Sequence, residues 1–297
     1  MDKIALLEKD IRSLKIQGAT NIALTVIKAI VQKSEIPDQQ ENNYEQILSC
    51  ARRLAYVRPN EPLSQNIIKY VFDRKEQTAS YYKRRALDYQ MLMQQAIQKI
   101  INLGLNLIRN GAVYLTHCHS STVINVFYEA RKSGKQFSVL IAETRPLYQG
   151  RITATELLEK GIEDVTFMID DCAISAIEGR LKNIDAIIIG ADVLTGKGFV
   201  NKVGTMALVR ACERAEIPVF TFTSLLKYFS HPFGNNDIEV RSGQEIWKEA
   251  PKDLKFYAPA FDFVPYTSNL KIVCEAGIIA GNEVADKAGR LYNFLRR

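Results

Sequence analysis

Cysteine is scarce in this chain. Only Cys50, Cys118, Cys172, Cys212 and Cys274 occur in 297 residues, and no two form a CxxC pair. An odd, scattered set builds neither a disulfide framework nor a zinc site. Histidine is scarcer: there are three, and two of them, His117 and His119, flank Cys118. No apolar run approaches the ~20 residues of a membrane span, so no membrane partner is expected. The segment Met1 to Asp10 carries Asp2, Glu8 and Asp10. It lacks the basic start and apolar run of a secretory signal, and a cytoplasmic protein is expected. No GxGxxG follows a strand, and GxSxG, HExxH and an EF-hand loop are missing. Gly190 to Lys197 has the flavour of a phosphate loop, but its spacing is wrong and Gly198 stands where Ser or Thr is needed.

What is present is an ordinary globular balance, 47% hydrophobic and 24% charged. The length suits two unequal domains. The net charge of +6 resides in residues 1–110, which hold 17 Lys and Arg against 11 Asp and Glu. That excess suits anionic ligands such as phosphates, or is a solvated helical surface. A nucleic-acid partner is not expected.

Residues 1–110 read as helices. Ile4, Leu7 and Ile11 recur at helical spacing, as do Ile22, Ile27 and Ile30, then Ile47, Ala51 and Leu54. Arg58-Pro59 and Pro62 stop the third helix. Leu63 to Ile108 has one weak break near Thr78–Ser80, which predicts two or three helices, one of them long. At Asn110-Gly111 the texture changes. Short β-rich runs, Val113–Thr116, Phe137–Ala142, Asp164–Ile169, Asp185–Ile189 and Val219–Phe222, alternate with helical stretches that begin near Ser121, Thr153, Cys172 and Gly204. This alternation predicts an α/β fold: a helical N-terminal domain over residues 1–110, then a Rossmann-like parallel-sheet domain over residues 111–297.

Ligands of such sheets sit beyond the carboxyl ends of the strands. The first strand delivers Cys118 there, with Ser120, Ser121 and Thr122 at the next helix start, where amides favour anions. A thiol at a helix N-terminus beside imidazoles is expected to ionise more easily than usual; the plain alternative is a buried core cysteine. The second strand ends at Glu143, then Arg145 and Gln149. Arg145 suits a phosphate, or an ion pair with Glu143. After the fourth strand comes Asp192, a functional carboxylate or a turn residue. Asn201 and Lys202 offer donors beside a helix start, and Lys227 follows the fifth strand.

These segments resemble a known family in a specific order. Thr116-His117-Cys118-His119-Ser120 looks like the cysteine motif of ribose-1,5-bisphosphate isomerases. Glu143-Thr144-Arg145-Pro146 with Gln149-Gly150 is similar to ETRP-x-x-QG, Gly190-Ala191-Asp192 to GAD, and Asn201-Lys202-Val203-Gly204-Thr205 to NKxGT. Ala258-Pro259-Ala260-Phe261-Asp262 with Pro265 resembles a P-x-FD-x-x-P signature. Ile16-Gln17-Gly18-Ala19 and Arg58-Pro59-Asn60 more loosely resemble RGA and RPT segments. The family joins sugar-phosphate isomerases to regulatory subunits of translation initiation factor 2B.

The resemblance implies conversion of ribose 1,5-bisphosphate to ribulose 1,5-bisphosphate, with Cys118 and Asp192 exchanging the protons. It implies phosphate or sugar contacts from Gln17, Gly18, Ala19, Thr20, Arg58, Ser120, Ser121, Thr122, Arg145, Gln149, Asn201, Lys202 and Lys227. It also implies dimers or hexamers, and no metal or organic cofactor. The neighbouring branches are methylthioribose-1-phosphate isomerases and non-catalytic regulatory subunits. Gln17 stands where the isomerases usually have Arg, and His119 where they usually have Asn.

Overall fold

The computed structural model describes residues 3–35, 43–75, 77–179, 181, 183–234 and 237–296. Met1 and Asp2, part of the amphipathic start, lie outside the described residues. The first third is helical: α1 (Lys3–Arg12), α2 (Ala19–Ser34), α3 (Asn43–Ala55), α4 (Pro62–Val71) and α5 (Ala79–Leu107). Pro62 opens α4, where its missing N–H costs nothing. Thr78 caps α5 by accepting a hydrogen bond from the Tyr81 amide. The break near Thr78 is therefore a helix start, and α5 is the long helix.

Six strands then run parallel in one sheet: β1 (Val113–Thr116), β2 (Ser138–Ala142), β3 (Val165–Met168), β4 (Ala186–Ile189), β7 (Val219–Phe222) and β9 (Leu270–Cys274). β10 (Gly277–Ala280) closes one edge antiparallel, giving the order β10-β9-β7-β4-β1-β2-β3. The strands alternate strictly. Leu115, Leu140, Ile187 and Ile189 join one buried cluster together with Ile22, Ile27 and Tyr89 of the helices. Tyr114, Val139, Ile141 and Ile188 join another with Ile100 of α5 and Phe127. Each such apolar side chain contributes about 1.5–3 kcal/mol when fully buried. Both faces are covered, as a parallel sheet requires.

Between the strands lie α6 (Ser121–Lys132), α7 (Gln149–Glu159), α8 (Asp170–Ile177) and α9 (Thr205–Arg214); α10 (Val284–Leu291) follows β10. Two of these begin earlier than the sequence predicts. α7 starts four residues before Thr153, because Tyr148 takes a left-handed turn at φ 58° and leads straight into it. α8 starts at Asp170, whose carboxylate holds the turn after β2 by accepting hydrogen bonds from the Thr144 and Arg145 amides. A second, small antiparallel sheet was not anticipated: β5 (Val193–Leu194), β6 (Gly198–Lys202) and β8 (Phe261–Pro265). It positions the residues that follow β4.

Candidate active site

The strand order reverses between β1 and β4. The chain steps outward through β2 and β3, then returns to the other side of β1. A crevice opens at such a point. Here it is a cleft of about 720 Å³. Close approach makes it: a Cβ on Gly190 would come within 2.8 Å of the Ser120 hydroxyl, so only glycine lets the end of β4 meet the start of α6. Gln17, Gly18, Ala19, Thr20, Arg58, Cys118, Ser120, Ser121, Thr122, Arg145, Gln149, Asp192, Asn201, Lys202 and Lys227 all line this cleft. A second cavity, of about 550 Å³ beside Tyr70, Arg85 and Phe294, holds none of them.

Cys118 follows β1 at φ 68°, a conformation that costs a residue with a Cβ roughly 1–3 kcal/mol. Two threonines hold it. Its amide donates to the Thr144 hydroxyl at 2.9 Å, and its carbonyl accepts from the Thr153 hydroxyl at 2.9 Å. The expectation of an easily ionised thiol does not hold. Burial pushes Cys118 up to about 11; the Lys202 ammonium pulls the other way, and the Asp192 carboxylate adds to the rise. Burial also lowers the pKa of both flanking imidazoles. His117 is used structurally, its Nε2 lying 3.0 Å from the Val203 carbonyl. His119 rests with its Nδ1 3.3 Å from the Thr153 hydroxyl.

Asp192 follows β4, and its amide donates to Val200 of the small sheet. Lys227 donates to the Ala191 carbonyl at 2.6 Å, which sets an ammonium behind Asp192. Lys202 is buried, with its Nζ over the Phe261 ring. It ends β6 rather than opening a helix. The first amides of α9 are already satisfied: the Asp262 carboxylate accepts from Gly204 and Met206 at 2.8 and 2.9 Å. Asn201 donates to the Thr205 hydroxyl. An anion in the cleft therefore meets the Lys202 side chain and not the α9 terminus.

Other helix starts do line the cleft, those of α2, α4, α6 and α7 among them. α6 is capped by Ser120, and α2 begins at Gly18 with no side-chain cap. The Gln17 carbonyl accepts from the Asn21 side chain. Arg145 is exposed and does not pair with Glu143, which binds Arg151 at 2.6 Å; instead Arg145 bonds the Tyr148 hydroxyl and the Ile246 carbonyl. Gln149 is buried, and its Oε1 has no partner. Arg58 is largely spent within the protein, donating to Glu61 at 3.2 Å and to Glu239 at 2.8 Å.

A model of the initiation factor 2 subunit family matches residues 15–281. The chain belongs to that family. Among its relatives is the ribose 1,5-bisphosphate isomerase of Methanocaldococcus jannaschii, 31% identical over 94% of this chain and 92% of that one. The fold is similar to that of the Pyrococcus horikoshii translation initiation factor eIF-2B, with a TM-score of 0.82, 25% identity and coverage of 94% of this chain and 98% of that chain. It is also similar to the 5-methylthioribose 1-phosphate isomerase of P. horikoshii, with a TM-score of 0.78, 22% identity and coverage of 98% and 88%.

Sequence reasoning passed over Glu61, which lines the cleft and feels the Asp192 charge, and Glu239, which holds Arg58. Glu61 is 2% exposed, and burial together with the Asp192 charge pushes its carboxyl up to about 8, against Arg58 and Lys227. At a helix start an acidic residue reads as a favourable end charge, which hides it. Glu239, nearly two hundred residues from Arg58, carried no signal at all.

Proposed function

We propose that this chain is an aldose–ketose isomerase of phosphorylated sugars, acting on ribose 1,5-bisphosphate to give ribulose 1,5-bisphosphate. One observation carries the reading: a thiol and a carboxylate stand at the ends of two adjacent strands, β1 and β4, across a cleft flanked by helix starts and by Lys202, Lys227 and Arg145. The name of the M. jannaschii relative supports the substrate. Two protons move in this reaction. One leaves C2 and one arrives at C1; the O2 hydroxyl gives up the other as the ring oxygen gains one. Cys118 as thiolate takes the C2 proton and returns it to C1. Asp192 protonates the ring oxygen as the C1–O bond breaks and collects the O2 proton as the ketone forms. Each group contributes about 10²–10⁴ in rate. A thiol of pKa about 11 is rarely ionised at neutral pH, yet its thiolate is correspondingly basic. Lys202 is the cation that favours it.

The helix starts at Gly18 and Ser120, with Lys202, Lys227 and Arg145, bind the two phosphates, and Gln149 offers its free carbonyl to a hydroxyl. Arg58 orients Glu61 more than it meets ligand. Division at residues 110 and 111 into a helical and an α/β domain, homo-oligomeric assembly as a dimer or hexamer, and a cytoplasmic location belong to the same proposal. The test is a substrate panel: ribose 1,5-bisphosphate, 5-methylthioribose 1-phosphate and nucleoside monophosphates, with the pure protein alone. Turnover of the bisphosphate is expected. Turnover of the methylthio sugar alone selects the neighbouring isomerase, which Gln17 in place of Arg would favour. Nucleotide binding with no sugar turnover selects a regulatory subunit.

A further inference from the structure

The proton that Asp192 must deliver needs a source, and resting on the isomerase reading, we propose that Glu61 is that source: a proton-holding residue that shares one proton with Asp192 across the wall of the cleft. Glu61 lies at the start of α4, lines the same cleft as Asp192 and is 2% exposed. Its Oε1 accepts from Arg58, but its Oε2 is buried with no hydrogen-bond partner. A carboxylate oxygen left bare in this way is costly. A neutral carboxylic acid costs less there, since it carries no charge to desolvate.

Every charged group facing Glu61 fits this. Arg58, on its own loop, is shared with Glu239, which takes two of its N–H groups. Lys227, beyond β7, is turned onto the Ala191 carbonyl. Asp192, beyond β4, and Glu239 repel a second negative charge, and with burial they hold the Glu61 proton to about pH 8. Two carboxyls with one proton between them can pass it from Glu61 to Asp192, and on to the ring oxygen. The O2 proton restores it at the end of the cycle. No net charge is made or lost.

This predicts an unusual pH profile. Turnover needs the Cys118 thiolate and a proton on the carboxyl pair together. Below about pH 8 the pair stays protonated while thiolate grows, so kcat/KM rises roughly tenfold per unit. Above about pH 8 the pair loses its proton as fast as the thiolate gains, and the profile levels. Glu61→Gln cannot hold the proton, so its kcat falls and the break near pH 8 disappears. A merely structural Glu61 would lower the rate and leave the profile's shape unchanged; that result overturns the proposal. An independent readout is carbon NMR of protein labelled at the glutamate side-chain carboxyl, titrated from about pH 4 to 10 without substrate. One glutamate is expected to titrate near pH 8, to vanish in Glu61→Gln and to move lower in Asp192→Asn. If every glutamate titrates in the ordinary range near 4.3, Glu61 holds no proton, whatever the enzyme turns over. If the signal is found and no sugar phosphate reacts, the proton pair stands and the isomerase reading fails.

Discussion

Cys118 is where the chemistry is most exposed to test. Cys118→Ser replaces the thiol by a much weaker acid in the same left-handed backbone, so the base is lost and the Thr144 and Thr153 contacts to its main chain remain. Turnover should fall at least ~10²-fold with the midpoint of thermal unfolding nearly unchanged. Retention of more than about a tenth of the wild-type rate, against that ~10²-fold, would remove Cys118 from the mechanism. Lys202→Ala should act on binding, weakening a bisphosphate by about 1.5–3 kcal/mol, the worth of one charge-assisted hydrogen bond. Calorimetry with the bisphosphate and with ribose separates the cases, since an equal loss for both sugars would contradict a phosphate role. At this scale the sequence placed residues well and charges poorly. Motif order brought Cys118, Asp192, Arg145 and Lys202 to one cleft. It did not reveal that burial outweighs the helix start at Cys118, or that Arg58 is occupied by Glu61 and Glu239, because ion pairs across 181 residues leave no local pattern.

Among the elements, periodicity decided what could be read. The five strands from Val113 to Phe222 in the large sheet are short apolar runs, largely buried except for β3 at the edge, and their ends were legible to within a residue. The small sheet was not. β5 has two residues, and β6 carries Asn201 and Lys202 buried where an alternating strand would bury apolar side chains. Yet this sheet sets the site. Asp262 on β8 caps α9 and so fixes the turn that joins Lys202, at the end of β6, to that helix. Asp262→Ala should cost about 0.5–2 kcal/mol, the usual worth of an N-cap, read as a lower midpoint in urea. The Michaelis constant should rise along with it. A stability loss with an unchanged Michaelis constant would show that Lys202 is held independently of α9.

The whole molecule brings its two textures to one purpose. The apolar core is continuous from the helices into the sheet, and the cleft takes α2 residues with Arg58 and Glu61 before α4 on one side and strand ends on the other. Neither part alone encloses a ligand. Among the described residues no helix is long and apolar enough to cross a membrane. The central claim is that this cleft moves hydrogen between adjacent carbons of a phosphorylated sugar. Proton NMR of ribose 1,5-bisphosphate in deuterium oxide with the pure protein tests it most directly. The account predicts loss of the C2 proton signal and appearance of the ketose with wild-type protein, and neither with Cys118→Ser. An unchanged spectrum with wild-type protein, or equal rates for the two proteins, would contradict it.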